Sequence, residues 1–309
     1  MSFHSRLAAS GLVILAMSRN DTTHGPRWFG LPPLPGPLDS PPPSVQVDVE
    51  FAARSRRGAT PSQNHDHYLI LRMGRHQETL MTSLPEGDVR KRFDECGYGM
   101  VIADGVGEAG ETASRIAVAT LAQLSTYFGK WNLRIDETIA EEVMDRGERF
   151  YRTIDSTLLQ ARHGSLAEMQ TTLTAVYTAG NELFFAHVGN SRAYMFRDGE
   201  LMQLTRDGVS DTASGATPRS ARRIATDALG RTGSGGPKID IERCGLLHGD
   251  IVLLCTNGLF SVVDDEAMAR AIRAHATPDE QTRALIGLAE QAGGREDATV
   301  LVAHYSIHA

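Results

Sequence analysis

The chain has 309 residues, of which 41% are hydrophobic and 22% are charged, and its formal net charge is −7. This composition is that of a globular protein with enough apolar side chains for a sizeable core, so folding requires neither disulfides nor a structural metal. The negative charge gives no electrostatic basis for binding nucleic acid or an anionic membrane surface, and we expect neither as a partner.

The first 44 residues are expected to lie outside the folded domain. An apolar run over residues 7–17 is too short to span a bilayer, and no small-residue cleavage pattern follows it. Dense prolines between residues 26 and 43 predict an extended, proline-rich linker. We therefore expect a tail over residues 1–44 and one folded domain over residues 45–305. An odd number of cysteines, in no metal-ligand spacing, favours a reducing, cytoplasmic location.

From residue 45 onward, the hydrophobic pattern predicts strands and helices in chain order. Strands are expected over 45–51, 68–73 and 98–103, followed by helices over 111–128 and 135–162. Two hairpins come next. The first joins 172–178 to 183–188, and the second joins 193–197 to 200–204 through Asp198-Gly199, where both residues tolerate a positive φ.

The C-terminal third is predicted to contain a buried strand, two helices and a closing strand. The strand covers 251–255 and the first helix covers 265–274. The second helix begins with Thr277 as N-cap, Pro278 at N1 and Glu280 at N3, and it ends before Gly293-Gly294. A last strand covers 299–304. Antiparallel strands interrupted by long helices predict an α+β fold.

Short polar clusters lie next to several predicted strands. They are Asn64-His65-Asp66, Asp104-Gly105, Asn257-Gly258 and Glu296-Asp297. Carboxylate, amide and carbonyl oxygens at strand ends suit hard divalent cations such as Mg²⁺ and Mn²⁺. Taken singly, each cluster is more typical of a turn, and it is their order along the chain that indicates a metal site.

The ordered motifs resemble those of the PPM (type-2C) family of metal-dependent serine/threonine protein phosphatases. Residues 99–107 are similar to the Asp-Gly-Met-Gly-Gly signature, and residues 293–300 to the closing Gly-Gly-x-Asp-Asn-x-Thr-Val segment. Further similar segments are 171–174, 187–194, 197–199, 204–207 and 249–259. The resemblance extends from residue 45 to about residue 305.

The resemblance implies an αββα sandwich of two antiparallel sheets flanked by helices, with two divalent cations, Mn²⁺ or Mg²⁺, at one end. Asp104 would bridge both ions and the Gly105 carbonyl would bind one. Asn257 and Glu296 occupy the positions of further metal ligands, and Asp66 occupies the acidic position that orients metal-bound water. The implied activity is hydrolysis of phosphoserine and phosphothreonine in a phosphorylated protein, such as a serine/threonine kinase or its target.

Several positions depart from the family pattern. His65 replaces a Glu and Glu108 replaces a Gly, while Pro61 stands where an Arg is usual, with Arg56 and Arg57 nearby. Asn190 and Asn257 each replace an Asp, and Glu296 replaces another. Amide ligands carry no charge, so these changes should weaken metal affinity. Asp297 replaces an Asn and is a candidate compensating ligand. His65, His67 and Arg192 are expected to play no direct part in the chemistry.

Three interpretations follow. The first is an active phosphatase, in which Asp66, Asp104 and Glu296 are retained. The second is a weakened or inactive binding module of the same fold that recognises a phosphoprotein or kinase. The third is a regulatory phosphatase acting on a small anti-sigma-antagonist partner, which the sequence does not distinguish from the first.

Overall fold

The computed structural model of the protein describes residues 47–59, 63–130, 135–162, 168–208, 227–233 and 236–308. The strands are β1 (Val47–Arg56), β2 (Asp66–Glu78), β3 (Arg92–Val106), β4 (Gln170–Thr171), β5 (Leu173–Ala179), β6 (Glu182–Val188), β7 (Arg192–Arg197), β8 (Glu200–Gln203), β9 (Asp240–Gly245), β10 (Ile251–Cys255) and β11 (Ala298–Ile307). The helices are α1 (Gly110–Phe128), α2 (Glu137–Ala161), α3 (Asn257–Phe260), α4 (Asp265–Ala274) and α5 (Pro278–Gln291).

The strands form two antiparallel sheets. One sheet has the order β1-β11-β10-β7-β8, and the other has the order β2-β3-β5-β6-β9 with β4 paired to β3. Alternate side chains of a strand point to opposite faces, so each sheet has one face toward the other sheet and one toward helices. The predicted α+β sandwich is confirmed.

Three apolar clusters hold the layers together. Side chains such as Met100, Phe185 and Leu254 fill the space between the sheets. On one outer face, α1 and α2 pack against the sheet that contains β3. On the other outer face, α4 and α5 cover the sheet that contains β11. Because both faces of the sheets are covered, a strand in the middle of a sheet such as β10 (Ile251–Cys255) is apolar over its whole length.

The polar clusters do not all lie where the sequence predicted them relative to the strand ends. Asp104 and Gly105 lie inside β3 and not after its end, because β4 pairs with Gly105 and Val106 and continues the strand. Asp66 is the first residue of β2. Asn257 begins the short helix α3, directly after β10 and Thr256. Each cluster nevertheless remains next to a strand end, which places it at the rim of the sandwich.

Some predictions fall on residues that the structure does not describe. They are the tail over residues 1–44 and Pro61. The domain limits 45–305 remain a prediction for that reason. Among the described helices, none is long and apolar enough to cross a membrane.

Candidate functional site

The site lies where the start of β2 meets the far part of β3. Asp66 and Asp104 are directly opposite each other in the antiparallel ladder. Side chains that face each other in such a pair project from the same side of the sheet, so the two carboxyls are neighbours. They are 38 residues apart in the sequence, and the sheet register brings them together.

The Asp66 side chain connects this sheet to the other one. Its Oδ2 accepts hydrogen bonds from the hydroxyls of Thr256, at 2.8 Å, and Thr299, at 2.7 Å. Thr256 follows β10 and Thr299 lies in β11, so the carboxylate reaches across the end of the sandwich. Asp66 is buried, and its Oδ1 has no hydrogen-bond partner among the described residues. One oxygen is therefore fixed, and the other faces the site unpaired.

The backbone of Asp104 and Gly105 is held just as firmly. The Asp104 amide donates to Thr172 Oγ1 at 3.0 Å, and its carbonyl accepts from the Thr172 amide at 2.9 Å. A side chain at Gly105 would place its Cβ 1.9 Å from the Gly110 carbonyl oxygen. Glycine is thus required where β3 passes the start of α1.

Negative charge is concentrated around the two aspartates. Burial, followed by the nearby charges of Asp297 and Glu296, raises the pKa of Asp66 to about 7, against the opposing effect of the two threonine hydroxyls. Burial raises the pKa of Asp104 well above its usual range, and Asp66, Glu296 and Asp297 raise it further. Four acidic groups therefore share one small region, and their mutual repulsion is what a bound cation relieves.

Asp297 has a structural role that the sequence did not predict. Its Oδ1 accepts a hydrogen bond from the Gly58 amide at 2.6 Å, and its Oδ2 accepts one from the His65 amide at 2.7 Å. The side chain is buried. Both oxygens thus accept hydrogen bonds from backbone amides, and a role for Asp297 as a compensating ligand stays a prediction. The side chain joins the start of β11 to the segments that flank residues 60–62.

The remaining predicted ligands lie beside this pair. Asn257 is the residue after Thr256, which binds Asp66, and the next residue, Gly258, packs against the Asp297 backbone. Glu296 is exposed, yet its charge acts on both aspartates. Among the described residues, no three Asp, Glu, His or Cys side chains group closely enough to hold one metal ion.

The oxygen donors fit hard divalent cations. Oδ1 of buried Asp66 has no hydrogen-bond partner among the described residues, and the pKa of Asp104 is raised. Both observations indicate carboxylates that lack a positively charged neighbour. Asp, Glu, Asn and a backbone carbonyl are the ligand types that Mg²⁺ and Mn²⁺ take in proteins.

Other residues singled out in the sequence have supporting roles. Arg192 is buried, and its guanidinium binds both carboxylate oxygens of Asp207, at 2.7 and 2.6 Å, and stacks 3.9 Å from the Phe260 ring centre. This ion pair holds β7 against the segment that follows β8. Arg56 donates to the Gly294 carbonyl at 3.1 Å. This bond joins the end of β1 to the segment that follows α5.

The two histidines near the site contact protein groups. His65 uses its carbonyl to accept hydrogen bonds from Ser114 Oγ, at 2.6 Å, and from the Gly105 amide, at 3.1 Å. The His67 ring lies 2.9 Å from the same serine oxygen. Burial lowers the pKa of His67, and Glu111 opposes that effect. Both residues connect β2 to α1.

Sequence comparison assigns the chain to a known group of enzymes. The family model described as "Protein phosphatase 2C" matches residues 88–291. The serine/threonine protein phosphatase PstP of Mycobacterium tuberculosis is 31% identical over 270 residues, which is 84% of this chain and 45% of that protein. The serine/threonine phosphatase stp of Listeria monocytogenes is 28% identical over 218 residues, which is 66% of this chain and 82% of that protein. The chain thus spans less than half the length of the mycobacterial relative.

The fold is similar to a solved structure of the same type. The crystal structure of the PstP catalytic domain in complex with two manganese ions covers 84% of this chain with a TM-score of 0.64, and the two sequences are 28% identical. The similarity covers 99% of that catalytic domain.

Proposed function

Because the chain belongs to the protein phosphatase 2C family, we propose that it hydrolyses phosphoserine and phosphothreonine in proteins with the help of two divalent cations, Mn²⁺ or Mg²⁺. The observation that carries this proposal is the pairing of Asp66 with Asp104 at one end of the sandwich, surrounded by Glu296, Asp297 and Asn257. The relative whose catalytic domain holds two manganese ions supports the choice of cofactor.

In this proposal, Asp66, Asp104, Asn257, Glu296 and the Gly105 carbonyl hold the cations. Bound divalent cations supply an activated water and neutralise charge on the phosphoryl oxygens. The chain contributes rigidity, since groups that are already oriented lose little entropy and need little reorganisation during the reaction.

Thr256 and Thr299 bind one oxygen of Asp66 and leave Oδ1 to accept a hydrogen bond within the site. Thr172 fixes the backbone of Asp104, and the two bonds of Asp297 keep Gly58 and His65 in place beside it. These supporting residues determine where the carboxylates point and exclude solvent from behind them.

The proposed substrate is a phosphorylated protein, and a serine/threonine kinase or its target is the partner that we propose. The three cysteines are free, and Cys255 is fully buried, which is compatible with the cytoplasmic location that we propose.

The proposal is tested by measuring phosphate release from phosphothreonine and phosphoserine peptides, with Mn²⁺, with Mg²⁺ and with a chelator. We expect turnover that needs a divalent cation. Asp104→Asn should lower kcat/KM by about 100-fold or more, because several kcal/mol of charge stabilisation depend on the cations it holds. The matched control is Asp145→Asn on the exposed face of α2, which should leave the rate unchanged.

The Asn257→Asp variant distinguishes a weakened enzyme from a non-catalytic binding module. Adding a carboxylate should lower the Mn²⁺ concentration needed for half-maximal activity by about tenfold, which corresponds to ~1.4 kcal/mol. An absence of both Mn²⁺ binding and turnover in either protein would instead support the non-catalytic module. An absence of turnover with every divalent cation would contradict the proposed activity.

A further inference from the structure

The end of helix α2 holds a short backbone segment that lies next to β4. The Asp155 carboxylate accepts a hydrogen bond from the Gly230 amide at 2.7 Å, and the Arg162 guanidinium donates one to the Gly230 carbonyl at 2.9 Å. Asp155 is buried, and Arg162 is the C-cap residue of α2. Because both side chains are ionisable, these bonds belong to the stronger class of hydrogen bonds in proteins.

Gly230 is also confined by its packing. Its φ of 77° is one that favours glycine, so the backbone turns sharply at this residue. A Cβ at this position would lie 2.3 Å from the Met169 carbonyl oxygen and 3.1 Å from Leu158 Cβ. The Gly230 backbone is therefore held between α2 and the residue that precedes β4.

The neighbouring residue, Leu229, extends the pairing of β4. Leu229 and Thr171 exchange two backbone hydrogen bonds, at 3.1 and 2.9 Å. On its other side, Thr171 pairs with Gly105 of β3. A pairing of so few residues is marginal without further support. The position of β4 therefore depends on Leu229 as well as on β3.

β4 and the residue after it determine the backbone orientation at Asp104. The Thr171 hydroxyl donates to the Asp104 carbonyl at 3.0 Å, and the Thr172 amide donates to the same carbonyl at 2.9 Å. This carbonyl belongs to the peptide unit that joins Asp104 to Gly105, the two neighbouring residues proposed to hold the cations. Partners of this kind orient metal ligands without touching the metal.

Helix α2 is itself fixed to the sheet. The Tyr151 hydroxyl donates to the Ala186 carbonyl at 2.8 Å, and the Leu158 side chain is fully buried. A continuous set of contacts therefore runs from α2, through residues 229–230 and β4, to the backbone of Asp104.

From this arrangement, we infer that Asp155 and Arg162 are positioning residues for the cation site. By holding Gly230, they keep β4 in place, and β4 keeps the Asp104–Gly105 peptide in the orientation that cation binding requires. Both residues act through the backbone and not by contact with a cation or a substrate. The inference rests on the proposed function, since it concerns the same pair of cations.

The first test is hydrogen exchange of the metal-free protein, followed residue by residue by NMR. In Asp155→Ala, the amides of Thr171, Thr172 and Leu229 should exchange about tenfold faster than in the wild type. Each of these amides donates to a carbonyl within the set of contacts, and the loss of the Gly230 bond should let that set open more often.

The matched control is Asp250→Ala. Asp250 is likewise buried, and its carboxylate accepts hydrogen bonds from the Leu247 amide and from Arg197. It precedes β10, at the end opposite Thr256. This variant should lose stability as Asp155→Ala does, but it should not selectively speed exchange at β4.

The second test is calorimetric titration of Mn²⁺ into the same proteins. Asp155→Ala should raise the Kd for Mn²⁺ about tenfold, as the loss of an orienting partner does. Asp155→Asn keeps an oxygen that accepts from the Gly230 amide, so it should bind Mn²⁺ nearly as tightly as the wild type. Asp250→Ala should leave the Kd unchanged. A purely structural role for Asp155 would make the two alanine variants alike.

Circular dichroism checks that each variant folds. If Asp155→Ala does not fold, Arg162→Ala, which removes the bond to the Gly230 carbonyl, decides the question and should show the same changes. Mn²⁺ binding by the wild type that Asp155→Ala leaves unchanged, or unchanged exchange at β4 in that variant, would overturn this inference alone. A wild type that binds no Mn²⁺ would contradict the proposed function and this inference with it.

Discussion

At the scale of single residues, Asp297 shows how one carboxylate can join distant segments of the backbone beside the acidic cluster. It accepts two backbone hydrogen bonds, at 2.6 and 2.7 Å, from segments that are 239 and 232 residues away in sequence. Hydrogen bonds from backbone amides to a charged acceptor are among the stronger ones in proteins. Asp297 thereby fixes the position of the backbone segment that leads into Asp66.

Replacing Asp297 should measure what its two hydrogen bonds contribute to the stability of the fold. In Asp297→Asn, the amide keeps one acceptor oxygen but turns an NH₂ group toward the second backbone donor. We expect the free energy of unfolding to fall by about 1–3 kcal/mol. Urea unfolding of the metal-free protein near pH 5.5 is the suitable measurement, because Asp66, with a pKa of about 7, is then mostly protonated. At this pH, removing the negative charge of Asp297 therefore relieves little repulsion with Asp66. Stability equal to that of the wild type would show that the two hydrogen bonds contribute little.

Much of the residue-level site followed from the resemblance, but its supports did not. The motifs placed Asp66, Asp104 and Glu296 together, and in the structure Glu296 lies close enough to raise the pKa of both Asp66 and Asp104. The roles of Thr256 and Thr299 were missed. A threonine beside a strand is common in any β-rich protein, and contacts across 190 or 233 residues leave no local signal. Only the register of the sheets reveals them.

At the scale of elements, the passage of β3 beside α1 is a very close contact near the site. A Gly105→Ala side chain would meet the Gly110 carbonyl oxygen at 1.9 Å, and both positions are buried backbone. We expect Gly105→Ala to lower the free energy of unfolding by about 3 kcal/mol, because the strand or the helix must shift.

Gly287→Ala provides the matched control for that substitution. Gly287 lies inside α5, and a Cβ there has nothing within 4 Å. Alanine should stabilise the helix by about 0.5–1 kcal/mol. Denaturant unfolding of both variants gives the comparison. A Gly105→Ala protein as stable as the wild type would mean that β3 and α1 are not closely packed.

Elements that carry specific turn or helix-capping residues were predicted well. Asp198 and Gly199 adopt φ values of 53° and 85°, as the hairpin turn requires, and Thr277 and Glu280 form the predicted capping box. β4, β9 and α3 were missed. β9 is a charged edge strand in which Arg243 and Glu242 interrupt the apolar pattern, and its pairing with β6 is long-range. The two residues of β4 are too few to show any periodicity.

At the scale of the whole molecule, the acidic cluster couples stability to pH. The Asp66 carboxyl ionises near 3.8 in an unfolded chain and at about 7 in the folded protein. Between those values the folded state holds more protons, so this contribution to stability is lost as pH rises toward 7. Buried His187 acts in the opposite direction, since burial lowers its pKa.

The pH effect is isolated by comparing the wild type with Asp66→Asn in the absence of metal. The stability of Asp66→Asn relative to wild type should increase from pH 5 to pH 8, because only the wild type loses the bound proton. Stabilisation of the wild type by Mn²⁺ should also be larger at pH 8, where cation and proton no longer compete. A stability difference that does not change with pH would contradict the high pKa of Asp66.

The most direct test of the account is calorimetric titration of Mn²⁺ into the metal-free protein at neutral pH. We predict two ions per chain for the wild type, loss of this binding in Asp104→Asn, and unchanged binding in Asp145→Asn. No measurable Mn²⁺ binding to the wild type, or binding that Asp104→Asn leaves intact, would contradict the claim that Asp66, Asp104, Asn257 and Glu296 together hold the two cations.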